Sequence, residues 1–186
     1  MVVNITELKI IIKMLLNVNL ILIMIEFIRL GTLKRAYLQL IKKRWPKIST
    51  NQLIIRRQLI DTYKLQQDPS RIKNKQIKQI ISGSLCITIG IALGGYLISN
   101  FYLGFIPLTI MFFEAALIFL ASVQTEARDN LIYQQYIRTH LDNDLKIVLM
   151  PDQMVQAHSR LRLIIWTTLM VESVLLVGWI LLYYIH

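Results

Sequence analysis

Long uncharged apolar runs, a block of concentrated positive charge beside them and a length of only 186 residues predict an all-α fold. The expected form is a small polytopic membrane protein with four transmembrane helices, the first marginal, a short central hairpin and two inward amphipathic segments. The apolar runs weigh most. No charged residue lies between Lys78 and Glu114, and Glu114 stands alone before Glu126. Hydrocarbon demands such a spacing and a soluble core rarely needs it. With 55% apolar residues, the chain has room for three or four spans and one modest polar region, but not for a separate catalytic domain of ordinary size.

Residues 1–30 contain the marginal span, IIIKMLLNVNLILIMIEFIRL, interrupted by Lys13, Asn17, Asn19 and Glu26. Lys13 and Arg29 can snorkel from its two ends, and Glu26 can pair with Arg29 one helical turn away. A span is the preferred reading. The alternative, a helix lying in the membrane interface, is weakened because the polar positions form no clean wide face. Lys9 and Lys13 precede an apolar run without a small-residue cleavage pattern, so the segment is expected to be retained. No myristoylation signal begins the chain and no prenylation signal ends it, which leaves insertion to the spans.

Residues 31–78 carry thirteen Lys or Arg against Asp61 and Asp68 alone. Positive charge beside spans is retained on the cytoplasmic side, so this segment is expected to be cytoplasmic. Lys34, Arg35, Lys42, Lys43, Arg44, Lys47, Arg56 and Arg57 are the candidate contacts for anionic lipid or for an acidic partner. Apolar residues interleave with them, Pro46 interrupts the pattern, and Ser49, Thr50 or Asn51 can cap a second helix running to about Gln67. Two short amphipathic helices follow. Lying along anionic headgroups is their plainer role, with Trp45 at the interfacial level, and docking a partner is the sharper one. Most of the formal charge of +10 lies here, so membrane lipid explains the excess more simply than nucleic acid, which is not expected as a partner.

Residues 79–123 form the hairpin, two spans joined by SNFY. Gly90 and Gly94, followed by Gly95, give the first span a small-residue face that another helix can approach closely. That contact is assigned to helix packing, first within the chain and next with a partner or a second copy. Pro107 lies near the entrance of the second span, where a missing backbone hydrogen bond is easiest to tolerate. Cys86 falls within a span and, as the single cysteine, supports neither a disulfide framework nor a multi-cysteine metal site.

Residues 124–162 hold five acids and five Lys or Arg and form the second inward segment. One helix with Leu131, Ile132, Tyr136, Leu141 and Leu145 on its apolar side is expected before a turn at Pro151 and Asp152. Asp142 and Asp144 are the expected contacts to the basic segment. Residues 163–186 are the last span, with Trp166, Trp179, Tyr183 and Tyr184 as interfacial anchors.

Glu114 and Glu172 each fall near the middle of a span, where a naked carboxylate is expensive. Each must face the bundle, become protonated, or pair with a polar group. The two could share one inward site. They serve either as structural contacts between helices, the preferred reading, or as an intramembrane proton or cation relay assisted by residues such as Thr88, Thr109, Thr167, Thr168 and Ser173. His140, His158 and His186 are scattered without HExxH or Cys-His spacing, so no metal site and no cofactor is expected. Neither GxxxxGK[ST] nor GxSxG occurs, which removes support for nucleotide hydrolysis and for that esterase class.

The expected function is therefore non-enzymatic: an integral membrane accessory subunit of a larger complex, contacting anionic lipid and a membrane-protein partner or a second copy. A small oligomeric channel, permease or membrane-permeabilising protein with an intramembrane glutamate site is the alternative, and a membrane-embedded enzyme is third. The expected location is the bacterial plasma or inner membrane, with an organellar inner membrane as the alternative.

Overall fold

The computed structural model describes residues 5–98 and 105–184, and every described regular element is an α-helix. The helices are α1 (Ile5–Arg44), α2 (Thr50–Gln67), α3 (Ser70–Ile98), α4 (Phe105–Leu120), α5 (Thr125–Thr139) and α6 (Asp152–Tyr184). Four helical stretches are long and apolar enough to cross a membrane: Ile5–Arg44, Ser70–Gly94, Phe105–Thr139 and Asp152–Tyr183.

The helix α6 is the centre of the bundle. It packs against α1 on one side and α4 on the other, while α3 packs on the outer flank of α4. The inward stripe of α1 is Asn19, Ile23, Glu26 and Leu30, whose spacings of four, three and four keep them on one helix face. Ile23 and Leu30 meet Leu161, Ile165 and Leu169 of α6 and Ala116 of α4 in the membrane core. Ala116 and Ile165 are both fully buried. An alanine at that crossing lets two helices approach where lipid supplies no hydrophobic drive. A T-shaped contact between Phe27 and Phe119, centroids 5.3 Å apart, adds a tie between α1 and α4. Met14, Ile28, Ile80, Ile87 and Val174 point outward from the bundle, as side chains facing acyl chains do.

The first span and the first basic stretch are one helix, without the expected division near Gly31. At 40 residues, α1 is about 60 Å long, twice the hydrocarbon thickness. A Cβ added at Gly31 would meet nothing within 4 Å, and the residues after it are mostly good helix formers, so no local conflict ends the helix there. It stops at Arg44, two residues before Pro46. Ser49 then caps α2 in a capping box with Gln52, which fixes the start of the second helix.

The polar segment after the hairpin is also divided differently from the single long helix expected. α5 ends at Thr139, and residues 140–151 run on as an irregular segment. Asn143 and Lys146 take φ of 44° and 49°, a left-handed conformation that Asn tolerates better than most residues. The Asn143 side chain holds both backbone groups of Ile147, at 2.8 and 3.0 Å. This local alternative to helical bonding turns the chain. Leu141 in consequence faces outward, 95% exposed, and Leu131 is also exposed; the apolar side they were expected to complete is formed by other residues.

The two polar segments lie together at one end of the bundle as a cap. Ile60 of α2, Tyr136 of α5 and Ile147 make a second small core, flanked by Tyr63, Tyr133, Ile137 and Leu145. Tyr136 is ringed by Tyr63, T-shaped at 5.0 Å, and by a stacked His140 at 4.2 Å.

Candidate functional site

Two polar constellations stand out, one inside the bundle and one where the bundle meets its cap. Inside the bundle, the Asn19 amide of α1 donates to Glu172 Oε2 at 2.8 Å and to the Thr168 carbonyl at 2.9 Å. Two turns further along α1, Glu26 Oε2 lies 3.0 Å from the Thr168 hydroxyl. That hydroxyl has one proton and two further acceptors within reach, the carbonyls of Ile164 and Ile165. Thr168 thus connects the polar groups of Asn19, Glu26 and Glu172 on the α1–α6 interface. Both glutamates are buried, Glu172 almost completely.

Glu114 lies in a different interface. Its two carboxyl oxygens are contacted by Ser84 and Thr88 of α3, the second at 3.2 Å. The structure therefore gives each mid-span glutamate a hydrogen-bond partner on a neighbouring helix, and does not bring Glu114 and Glu172 to one site. Of the polar residues named beside them, Thr88 and Thr168 take part, while Thr109, Thr167 and Ser173 bond to carbonyls of their own helices. Asn19 enters from the sequence only as an interruption of its span, and Ser84 not at all. Their signal was present: a polar residue within an apolar run must find a partner in the bundle. Glu26 was read toward Arg29, but among the described residues no ion pair joins them and Arg29 faces outward.

A mixed charge cluster lies at the base of the cap. Asp129 of α5 accepts from Lys64 of α2 at 2.7 Å and from Arg71 of α3 at 2.5 Å. One turn earlier, Glu126 pairs with Arg162 of α6, whose guanidinium also donates to the Ser122 carbonyl. His158, 1% exposed, sits against this pair with Nδ1 3.8 Å from Glu126. Glu126, Asp129, Asn130, Tyr133 and Tyr136 share the inward face of α5, so one helix face ties α2, α3 and α6 to a common strut. Burial pulls the Lys64 ammonium down, but Tyr133 and Asp129 more than offset this and hold it above the ordinary lysine value. Lys64 Nζ also lies over the Tyr133 ring, 4.9 Å from its centroid.

The irregular segment is pinned from three sides. The Asn130 side chain makes a two-way clamp on Met150, at 2.7 and 2.9 Å. Tyr37 of α1 donates to the Val148 carbonyl at 2.8 Å. Arg56 Nε donates to the carbonyls of Leu145 and Lys146 at 2.9 and 3.1 Å. Arg56 is thus turned inward, and its burial pulls the guanidinium below its ordinary value, with Tyr37 and Tyr133 opposing. The other named cations, Lys34, Arg35, Lys42, Lys43, Arg44, Lys47 and Arg57, are exposed along α1, its end and α2. Among the described residues the ion pairs across the cap run through Glu126 and Asp129, and Asp142 and Asp144 join none of them.

Gly90 and Gly94 have open space beside them, for a Cβ on either would meet nothing within 4 Å. Among the described residues, no atom of a neighbouring helix lies that close to either glycine. The surroundings of Gly95, and the residues of the SNFY turn, lie outside the described residues. His140 stacks on Tyr136, His158 lies in the charge cluster, and His186 falls outside the described residues. Among the described residues no three His, Cys, Asp or Glu side chains come together as a metal-ion group. Comparison with known proteins finds no family, no curated protein and no solved structure that matches this chain.

Proposed function

We propose that the protein is a non-enzymatic membrane subunit whose helix bundle holds and orients a polar cap for assembly with other proteins, with the basic surface of the cap also meeting anionic lipid. One observation carries this reading. The cap is built from stretches far apart in the chain and is locked to the spans through Asp129 and Glu126, so its position follows that of the bundle. Such a rigid connection suits a part that fixes the geometry of a complex. The free glycine face of α3 supports it as a second contact surface within the membrane. The charge rule supports a cytoplasmic or matrix-side cap, and the membrane in this reading is a bacterial plasma or inner membrane, with an organellar inner membrane as the alternative. Photo-crosslinkers placed singly at Gly90 and Leu59 in native membranes test the proposal. Discrete crosslinked products from at least one position support it, and their absence from both, with the chain intact, opposes it.

A second reading is favoured by the chain Glu26, Thr168, Asn19 and Glu172. Two buried carboxylates lie along the α1–α6 interface, Glu26 accepting from the Thr168 hydroxyl and Glu172 from the Asn19 amide, and intramembrane carboxyl groups are suitable proton carriers. On this reading the protein acts as an ion-conducting or permease component. Proton flux into vesicles containing the wild type or the Glu26→Gln plus Glu172→Gln variant tests it. Flux confined to the wild type supports the relay, and equal flux in both removes the glutamates as required carriers.

A further inference from the structure

Glu114 differs from the other two carboxyls of the bundle in what surrounds it. Glu26 and Glu172 are 7% and 1% exposed between α1 and α6, whereas the contact of Glu114 with the Ser84 hydroxyl lies on the open side of the α3–α4 pair. Thr88 is buried behind them and closes the inner side. Ser84 itself is exposed, and a Cβ on neighbouring Gly83 would meet nothing within 4 Å. Ser84 follows Lys78, the last charge before the apolar run, by six residues, about 9 Å along a helix. That depth lies within hydrocarbon about 30 Å thick. The open side of Glu114 therefore meets acyl chains.

The hydrogen bonds at this site call for one more proton than the hydroxyls hold. Thr88 Oγ1 lies 3.0 Å from the Ser84 carbonyl and 3.2 Å from Glu114 Oε2, and Ser84 Oγ contacts Glu114 Oε1. Three oxygen-to-oxygen contacts thus share the protons of two hydroxyls. A protonated Glu114 supplies the third. Thr88 then donates to the Ser84 carbonyl and accepts from Glu114, while Ser84 donates to the other carboxyl oxygen. Among the described residues no cation pairs with Glu114, so a charge there would stand uncompensated in hydrocarbon.

We infer that Glu114 is a neutral, proton-bearing carboxyl open to the bilayer and is the site at which a lipid-soluble carbodiimide modifies this protein. The site is separate from the α1–α6 carboxyls, which the bundle shields, and it rests on neither functional reading above. In the reaction the carboxyl proton passes to one carbodiimide nitrogen as the carboxyl oxygen bonds the central carbon, giving an O-acylisourea. The acyl group then migrates from that oxygen to the imine nitrogen, giving a stable N-acylurea. Every atom is kept and nothing is oxidised or reduced. Water would instead hydrolyse the O-acylisourea to the free acid and a urea, so a surviving adduct marks a dry site.

Full-length protein, one chain per phosphatidylcholine nanodisc, treated at neutral pH with dicyclohexylcarbodiimide and mapped by peptide mass spectrometry, tests this. Glu114 is expected to carry at least about tenfold more adduct than Glu26 or Glu172. The Glu114→Gln variant is expected to lose that adduct without gaining one elsewhere in the spans. A water-soluble carbodiimide with glycine methyl ester is expected to mark the exposed Asp142 and Asp144 and to leave Glu114 unmarked. An unmodified Glu114, or equal modification of the three glutamates, overturns the inference. Marking of Glu114 by the water-soluble reagents to the same extent as Asp142 also overturns it, because the carboxyl then stands in water.

Discussion

Asn19 and Glu172, 153 residues apart in the chain, share a 2.8 Å hydrogen bond inside the apolar bundle. The bond joins the first and last spans, and the same amide also satisfies the Thr168 carbonyl. A buried carboxyl with no donor bears its full desolvation cost, whereas a paired one contributes modestly. Asn19→Leu is therefore expected to destabilise the bundle by about 1–2 kcal/mol, and a double-mutant cycle with Glu172→Leu to show a coupling of about 0.6 kcal/mol, the usual size in membrane interiors. Reversible unfolding in mixed micelles measures both. Additive effects in the cycle would show that the pair does not act as a unit.

Asp129 is the acid shared by Lys64 and Arg71, all three with little exposed side chain. Removing it leaves the two cations crowded, Lys64 with only Asp61 at 3.7 Å and Arg71 with only Asp68 at 3.2 Å, so Asp129→Ala is expected to cost about 3 kcal/mol. Loosening of the cap should show as faster amide exchange in α2 and α5 with the inner stretch of α6 unchanged. Asp142→Ala, on an exposed side chain outside the cap's ion pairs, is expected to have little effect.

Part of this arrangement was legible in the sequence. Uncharged runs fixed the spans because hydrocarbon tolerates so few exceptions, and Pro46 with Ser49 located the break before α2 because ring geometry and capping act locally. The mid-span position of Glu114 and Glu172 raises the expectation of a polar partner, but which partner each meets depends on helix rotation and neighbour order, which apolar periodicity does not encode. Asp142 and Asp144 attracted attention by their spacing. Asp129 does the pairing instead because it shares the α5 face with Tyr133 and Tyr136. The end of α5 was missed because Asn143 bonds its own loop, a choice set as much by the Asn130 clamp on Met150 as by local sequence.

The upward displacement of Lys64 gives the cap a pH dependence of definite sign. A cation held above its ordinary value of 10.5 stabilises the fold fully below that value, and the contribution is lost as pH rises through the folded value. The thermal stability difference between wild type and Lys64→Met should be constant near neutrality and shrink in alkali above about pH 10.5. A difference that grows with rising pH contradicts the assignment.

Gly90→Leu and Gly94→Leu separate folding from association. Nothing within 4 Å opposes a Cβ at either position, so the isolated chain should keep its helix content and its unfolding midpoint. Association through this face should fall, because a leucine holds a partner helix about 2 Å or more further away than a glycine allows. Size-exclusion and crosslinking of the same samples check both halves. A misfolded monomer would mean that the glycines serve the chain's own bundle.

Native mass spectrometry of the full chain, released from its membrane in lipid discs without detergent exchange, reads assembly directly. A stable particle larger than one 21.7 kDa chain with its lipids, containing a second copy or another protein, is expected, and the Asp129→Ala variant is expected to lose it while the spans remain inserted. A lone chain in every preparation of the wild type would contradict stable assembly.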